Sequence, residues 1–405
     1  MPTPAIAPAQ TAQLAPLEGA SGQFQSGRVV TITAGHAVHD TYTAFLAPLL
    51  PAFKESMLLS NTQLGLLTVF LNAPSLVQPV LGYLGDRIDL RTLIILAPAV
   101  AGVTMSLLGV APSYAALALL LLIAGLNSAN LHAVAPVMAG RLSGDSLGRG
   151  MGFWMVGGEL GRTLGPLIVV TVVARVGLQG TPRLMAFGFL ASLLICLGLR
   201  GVPVHIPRDG DRPASWQVLR SMGPFLVPLA AILAVRALMI GALTIYLPVF
   251  LSEEGATLWR AGAALSVLQA AGVVGALLGG ALSDRLGRRL ILMLSLLLTP
   301  AFMFAFLAAE GWGQFLLLPA LGLTALSTAP AIMALVQESF PQSRSLANGM
   351  YMALSFLIQS GAVLLLGALA DRFGLRMAFT VSAVVPLLGL PFLRLLPQRR
   401  TDHTV

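Results

Sequence analysis

About twelve stretches of this chain are each long and apolar enough to cross a bilayer as one helix, and no other feature restricts the fold so much. A hydrocarbon core of ~30 Å needs roughly 20 helical residues. The runs cover 28–53, 61–84, 92–110, 114–140, 150–174, 182–200, 221–251, 259–283, 290–309, 313–339, 346–370 and 376–396. In lipid every backbone N–H and C=O must be satisfied within its own segment, so such runs fold as helices. Charge usage agrees. Only 10% of the 405 residues are charged, whereas a soluble domain carries roughly 25%. That excludes an ordinary soluble enzyme. The expected fold class is an all-α membrane protein with twelve transmembrane helices.

The largest polar interruption, 201–220, reads as a cytoplasmic linker between six-helix halves at 28–200 and 221–396. Residues 1–27 are rich in Ala, Pro and Gln and have no basic segment before an apolar core, so they read as a disordered tail and not a signal peptide. Residues 397–405 form a second tail. With the N-terminus inside, sixteen of the 24 basic residues fall on cytoplasmic segments and six outside, while Arg162 and Arg236 lie within spans. This bias fits both termini in the cytoplasm of a bacterial-type inner membrane. It also explains the net charge of +8 without nucleic acid. The single cysteine, Cys196, allows neither an intrachain disulfide nor a cysteine metal cluster.

The halves repeat. Gly82–Arg91 reads GYLGDRIDLR and Gly280–Arg289 reads GALSDRLGRR; upstream, LPAF at 50–53 matches LPVF at 247–250. The offset is 197–198 residues in both cases. Duplicated halves with a polar site between them are a known transporter plan. The repeated Gly-x-Leu-x-Asp-Arg loop resembles the signature loop of the major facilitator superfamily. More narrowly, GHAVHDTYTAFLAPLLP at 35–51, VQPVLGYLGDR at 77–87, LHAVAP at 131–136 and VGGELGRTLGPL at 156–167 resemble the fosmidomycin-resistance drug exporters. The resemblance implies two pseudo-symmetric six-helix halves and proton-coupled efflux of a drug-like or phosphonate-like molecule.

Within the first span stand His36, His39, Asp40 and Tyr42. A carboxylate at mid-bilayer costs about 2.5–3.5 kcal/mol on insertion scales, which a chain tolerates where the group faces protein or a polar path. Asp40 reads either as a proton-linked carboxylate or as a buried acid paired permanently with an arginine. His36 shares a helical face with Asp40. His36 and His39 have a spacing that could hold a metal, but a third ligand would have to come from another helix and no HExxH motif exists, so no metal is assigned. The fifth span carries Glu159 and Arg162 beside Gly157, Gly161 and Gly165, a smooth stripe for close helix packing. Glu159 is placed with the proton-coupling group. Arg162 is a candidate for an anionic substrate group, for clamping Asp40, or for a local pair with Glu159. Arg236 lies 197 residues beyond His39 and is expected to face the cavity from the opposite wall. Asn127, Asn130 and His132 on the fourth span, with Tyr42 and Trp154, complete the substrate candidates; Gln359 is a weaker one.

The doubled loops place Gly82, Asp86, Arg87, Arg91, Asp284, Arg285, Arg288 and Arg289 at the cytoplasmic surface. In the superfamily such loops lock that side by ion pairs when the transporter faces outward, and charged helix ends can pair in one state and part in another. The first copy has Asp89 where Gly287 stands in the second. Departures from the subgroup fall on the polar cluster: His39 replaces an asparagine, Ala133 and Val134 follow His132 in place of Pro-Glu, and Glu159 and Arg162 replace uncharged polar residues. There is no nucleophile–base constellation or phosphate loop, so a membrane enzyme is not expected. The expected function is proton-coupled export of a small drug-like or organic-anion substrate by a monomer that needs no cofactor. Proton-linked uptake of an organic anion on the same scaffold remains the alternative.

Overall fold

The computed structural model describes residues 23–78, 80–81, 91–201, 216–340 and 344–396. Its helices are α1 (Ser26–Thr43), α2 (Leu46–Met57), α3 (Asn61–Asn72), α4 (Arg91–Ser106), α5 (Tyr114–Leu142), α6 (Leu147–Val176) and α7 (Met185–Gly198) in the first half. The second half contributes α8 (Trp216–Gly241), α9 (Leu247–Glu253), α10 (Leu258–Leu286), α11 (Arg288–Ala308), α12 (Trp312–Leu326), α13 (Ala329–Ser339), α14 (Arg344–Phe373) and α15 (Leu375–Val384). Among the described residues ten segments are long and apolar enough to cross a membrane. Phe187, Leu190 and Leu194 of α7 show the matching surface, one exposed apolar face that only lipid can solvate.

The first two expected spans are not single uniform helices. The first breaks between α1 and α2 at Ala44–Phe45. Pro48 explains this: it has no N–H for the Ala44 carbonyl, and its ring collides with that group. The second runs from α3 into a 3₁₀ stretch at Ala73–Val77. In the second half the equivalent of the first break is a π-helical stretch, Ala242–Tyr246, just before Pro248. The tenth expected span is also split, into α12 and α13, with Ser327 and Thr328 between them and Pro330 in the first turn of α13. Helix α8 begins at Trp216, inside the segment read as linker, while 202–215 lie outside the described residues.

The glycine stripe packs as expected. A Cβ on Gly161 would lie 2.5 Å from the Ala37 carbonyl oxygen, and one on Gly165 would lie 2.4 Å from that of Thr41. Helix α6 therefore seats directly on the backbone of α1, the most extensive helix pair among the described residues. The halves meet through α6 against α10 and α3 against α14. The largest apolar cluster spans both halves and contains Phe45, Phe53, Tyr246, Phe250, Phe306 and Phe379. Two smaller clusters stay within one half each, around Ile94 and Leu142 in the first and around Met222 and Leu335 in the second. The halves are thus sealed at the end that carries the 54–61 connection and have separate cores towards the other.

Candidate functional site

Three helices of the first half bring the polar candidates together. Helix α1 supplies His36, His39 and Asp40, which are 3%, 0% and 2% exposed. Helix α5 supplies His132, and α6 supplies Glu159, Arg162 and Trp154. Asp40 sits at the centre. Arg162 Nη1 donates to its Oδ2 at 3.1 Å, and His39 Nδ1 donates to Oδ1 at 3.0 Å. His36 Nε2 lies 3.3 Å from Oδ2 and His132 Nε2 3.7 Å from Oδ1. The second guanidinium nitrogen of Arg162 bonds Glu159 on the same helix. Two of the expectations for Arg162 thus hold at once: it clamps Asp40 and pairs locally with Glu159.

The histidines are oriented by groups that can only accept. His36 Nδ1 donates to the Trp154 carbonyl at 2.9 Å, and His132 Nδ1 donates to the Ser128 carbonyl at 2.9 Å. With its hydrogen held there, each neutral ring carries a lone pair on Nε2. Those two nitrogens lie 3.2 Å apart and face the Asp40 carboxylate. Trp154 stacks on His36 with centroids 3.6 Å apart, fixing the ring. Gly158 leaves the room: a Cβ there would fall 2.6 Å from His36 Cε1. The converging bases can hold one small cation. Atoms of His36, Asp40 and His132 all lie within 4.8 Å of one another; His39, the expected partner of His36, is not among them. Arg162 already places a positive charge on the carboxylate.

Other candidates lie elsewhere. The Tyr42 hydroxyl is spent on the Leu184 carbonyl at 2.5 Å, in the apolar core. Asn127 Nδ2 donates to the Ala97 carbonyl at 2.9 Å and ties α5 to α4. Asn130 is buried with an unpaired Oδ1. Among the described residues Arg236 joins no carboxylate. Among the described residues its guanidinium donates to the Ala325 carbonyl at 3.0 Å and Ser295 Oγ at 3.4 Å, and it is 6% exposed. It lines a cavity within the second half, between α8, the α12–α13 break and α14. The Asp40 cluster is built from residues of the first half, and the Arg236 cavity is lined by residues of the second. Thr328 and Tyr351, which line the same cavity, were not among the sequence candidates. The signal for Thr328 was the Ser-Thr-Ala-Pro run at 327–330, a helix-breaking pattern inside an apolar span.

Of the gate candidates, Gly82, Asp86 and Arg87 lie outside the described residues. Arg91 Nη1 reaches the Leu199 carbonyl at 3.4 Å. Arg288 pairs with Asp284 at 2.6 Å and with Glu338 at 2.9 Å, and Arg289 donates to the Arg394 carbonyl, all inside the second half. Arg285 is exposed. Contacts between the halves occur at the opposite end. There Asp371 of α14 accepts from Asn61 N at 2.6 Å, Thr62 N at 2.9 Å and Thr62 Oγ1 at 2.7 Å, capping α3 from the other half. Lys54 bonds Asn61 Oδ1 at 2.8 Å and pairs with Glu253.

The family model of the Major Facilitator Superfamily matches residues 32–320 and again 260–405. The chain belongs to the Major Facilitator Superfamily. The two overlapping matches fit the internal repeat, and membership makes this a multi-pass membrane transporter. It is 23% identical over 405 residues to the fosmidomycin resistance protein of Escherichia coli (strain K12), covering 97% of this chain and 100% of that one. It is 25% identical over 379 residues to the MFS-type transporter YfnC of Bacillus subtilis (strain 168), covering 89% and 91%. Among solved structures, a bacterial homologue of the human lysosomal transporter Spinster, inward-facing and unoccupied, aligns with a TM-score of 0.78 at 16% identity, covering 93% of this chain and 98% of that one. A D-xylose–proton symporter aligns at 0.74 with 18% identity, covering 93% and 99%. These structural likenesses establish the fold.

Proposed function

We propose that this superfamily member exports a small drug-like or organic-anion substrate in exchange for protons, by alternating access. The observation that carries the proton is the Asp40 cluster. Two imidazole lone pairs and a carboxylate converge in a buried pocket, and a proton added at either Nε2 is shared with the other nitrogen and with Asp40. With neutral histidines, Asp40, Glu159 and Arg162 carry one net negative charge, which a single proton cancels. His36, His39, His132 and Glu159 belong to this proton site. Arg162 holds Asp40 when the proton has left, and Trp154 forms its wall. The fosmidomycin-resistance relative supports export. Twelve spans, cytoplasmic termini, an inner-membrane location and a monomeric unit complete the reading. In the outward-facing state the doubled loops would replace the Asp371 and Lys54 contacts as the closed end.

The test uses everted membrane vesicles with an imposed pH gradient. Fosmidomycin and a panel of small organic anions are added, and collapse of the gradient is followed with a pH-sensitive dye. The wild type dissipates the gradient when a substrate is added, and Asp40→Asn does not. An Asp40→Asn response equal to wild type would overturn the role of Asp40. The second reading, proton-linked uptake, has its own support: the negative cluster and the Arg236 cavity lie in different halves, so a proton and an anion can be bound together. Co-directional accumulation of substrate and protons in proteoliposomes selects it over exchange.

A further inference from the structure

Arg236 presents a physical problem that the proton reading leaves unsolved. A buried guanidinium without a counter-ion is costly, by several kcal/mol for an unpaired ion. Among the described residues its two named partners are a backbone carbonyl and a hydroxyl, which leaves most of its five N–H donors unspent. The break in the tenth span lies beside it. Helix α13 begins at Ala329 with no side-chain cap, so an eleven-residue helix turns an uncapped N-terminus towards this region. Thr328, the residue before it, is 1% exposed, lines the cavity, and its Oγ1 has no hydrogen-bond partner. The cavity has a volume of about 190 Å³ and is otherwise walled by apolar side chains such as Leu233, Ile240 and Ile358, with Gln359 at its side.

The internal repeat shows what was changed. The 197-residue offset of the first-span match carries His39 to Arg236, and the helices that wall the cavity, α8, α12–α13 and α14, come in their half at the places that α1, α5 and α6 hold in the first. The cavity therefore occupies the repeat-equivalent place of the Asp40 cluster. One copy has histidines and an arginine shared by two acids; the other has an arginine, hydroxyls and an amide, with no acid among the residues that line it. The first is built for a proton and the second for negative charge.

We infer that the Arg236 cavity binds an oxyanion carried on an apolar stem, a carboxylate or phosphonate of an organic molecule, with the head on Arg236, Thr328 and the α13 N-terminus. The stem lies along Leu233, Ile240 and Ile358. Discontinuous helices that aim a half-helix N-terminus at an anionic group are a recurring transporter device. A neutral ligand would leave the guanidinium unpaired, and a cation would be repelled. The inference names the substrate class within the transporter reading, and its test does not depend on proton coupling.

Purified protein in uncharged detergent is titrated with butylphosphonate, hexanoate, butylamine and inorganic phosphate, with thermal stability and calorimetric binding as readouts. Butylphosphonate and hexanoate are expected to raise the melting temperature saturably, and butylamine to leave it unchanged. Arg236→Gln loses the effect, Thr328→Val weakens binding about tenfold, and Arg376→Gln, at a residue that pairs with Glu254 and does not line the cavity, behaves as wild type. Should Arg236→Gln fail to fold, Arg236→Lys is the substitute, with weaker binding expected because the fork of donors is gone. Wild-type affinity in Arg236→Gln, or in both Arg236→Lys and Thr328→Val, overturns the site. So does inorganic phosphate binding as tightly as butylphosphonate, which would mark an adventitious ion only. Protection by phosphatidylglycerol vesicles with none by the soluble anions reassigns the cavity to a lipid headgroup and overturns the proposal. Anion binding that persists in Asp40→Asn while proton movement is lost separates this inference from the proton reading.

Discussion

At the scale of the residue, charge and room are fixed together. Gly158 is bare because His36 and Asp40 need the space: a Cβ would stand 2.6 Å from the ring and 3.1 Å from the carboxylate. Gly158→Ala is therefore expected to turn His36 off Trp154 and to abolish substrate-linked proton movement in the vesicle assay. Gly161→Ala meets backbone and not a movable side chain, at 2.5 Å. It should cost about 1–3 kcal/mol by forced separation of α1 and α6, read as a lowered melting temperature in detergent. Gly152→Ala, with nothing within 4 Å, is the matched control and should be neutral. His39 differs from its neighbours. It supports Asp40 through Nδ1 while its Nε2 is buried and unpaired. His39→Gln should accordingly weaken coupling less than His132→Ala, which removes one of the two facing lone pairs.

At the scale of the element, prolines decide where helices break and the breaks decide where chemistry sits. Pro48 and Pro248 interrupt the first helix of each half, and α2 and α9, the segments that follow, pack against each other across the molecule. Lys54 and Glu253 close that contact. Asp371 adds a cap on α3 from α14. A cap of this kind contributes about 0.5–2 kcal/mol, enough to shift a balance between two transporter states. Asp371→Ala should therefore populate a form open at this end. Electron–electron resonance distances between spin labels at Ser56 and Trp312 would show it as a longer component, and an unchanged distribution would remove Asp371 from the gate.

At the scale of the whole molecule, the halves are sealed at one end by a shared apolar core and kept apart at the other. In a cysteine-free background (Cys196→Ser), a cysteine at position 132 should react with a membrane-impermeant maleimide from the side of the Leu286–Arg288 loop. With the proposed orientation that means inside-out vesicles and not right-side-out ones. The sequence by itself determined the membrane class, the repeat, the polar cluster on the first span and the glycine stripe beneath it. Each is a local pattern: apolar length, recurring motif, helical spacing. The union of His36, Asp40, His132, Glu159 and Arg162 was partly legible, because charge in a membrane span must find a partner. The surroundings of Arg236 were not. Summed along the chain, Asp40, Glu159, Arg162 and Arg236 cancel, and that sum does not say which groups meet. Only the tertiary structure does: Arg162 serves both Asp40 and Glu159, and Arg236 meets the Ala325 carbonyl and Ser295 Oγ. The reason is physical: a side chain's partners are set by what its helix face packs against and not by the balance of charge along the sequence.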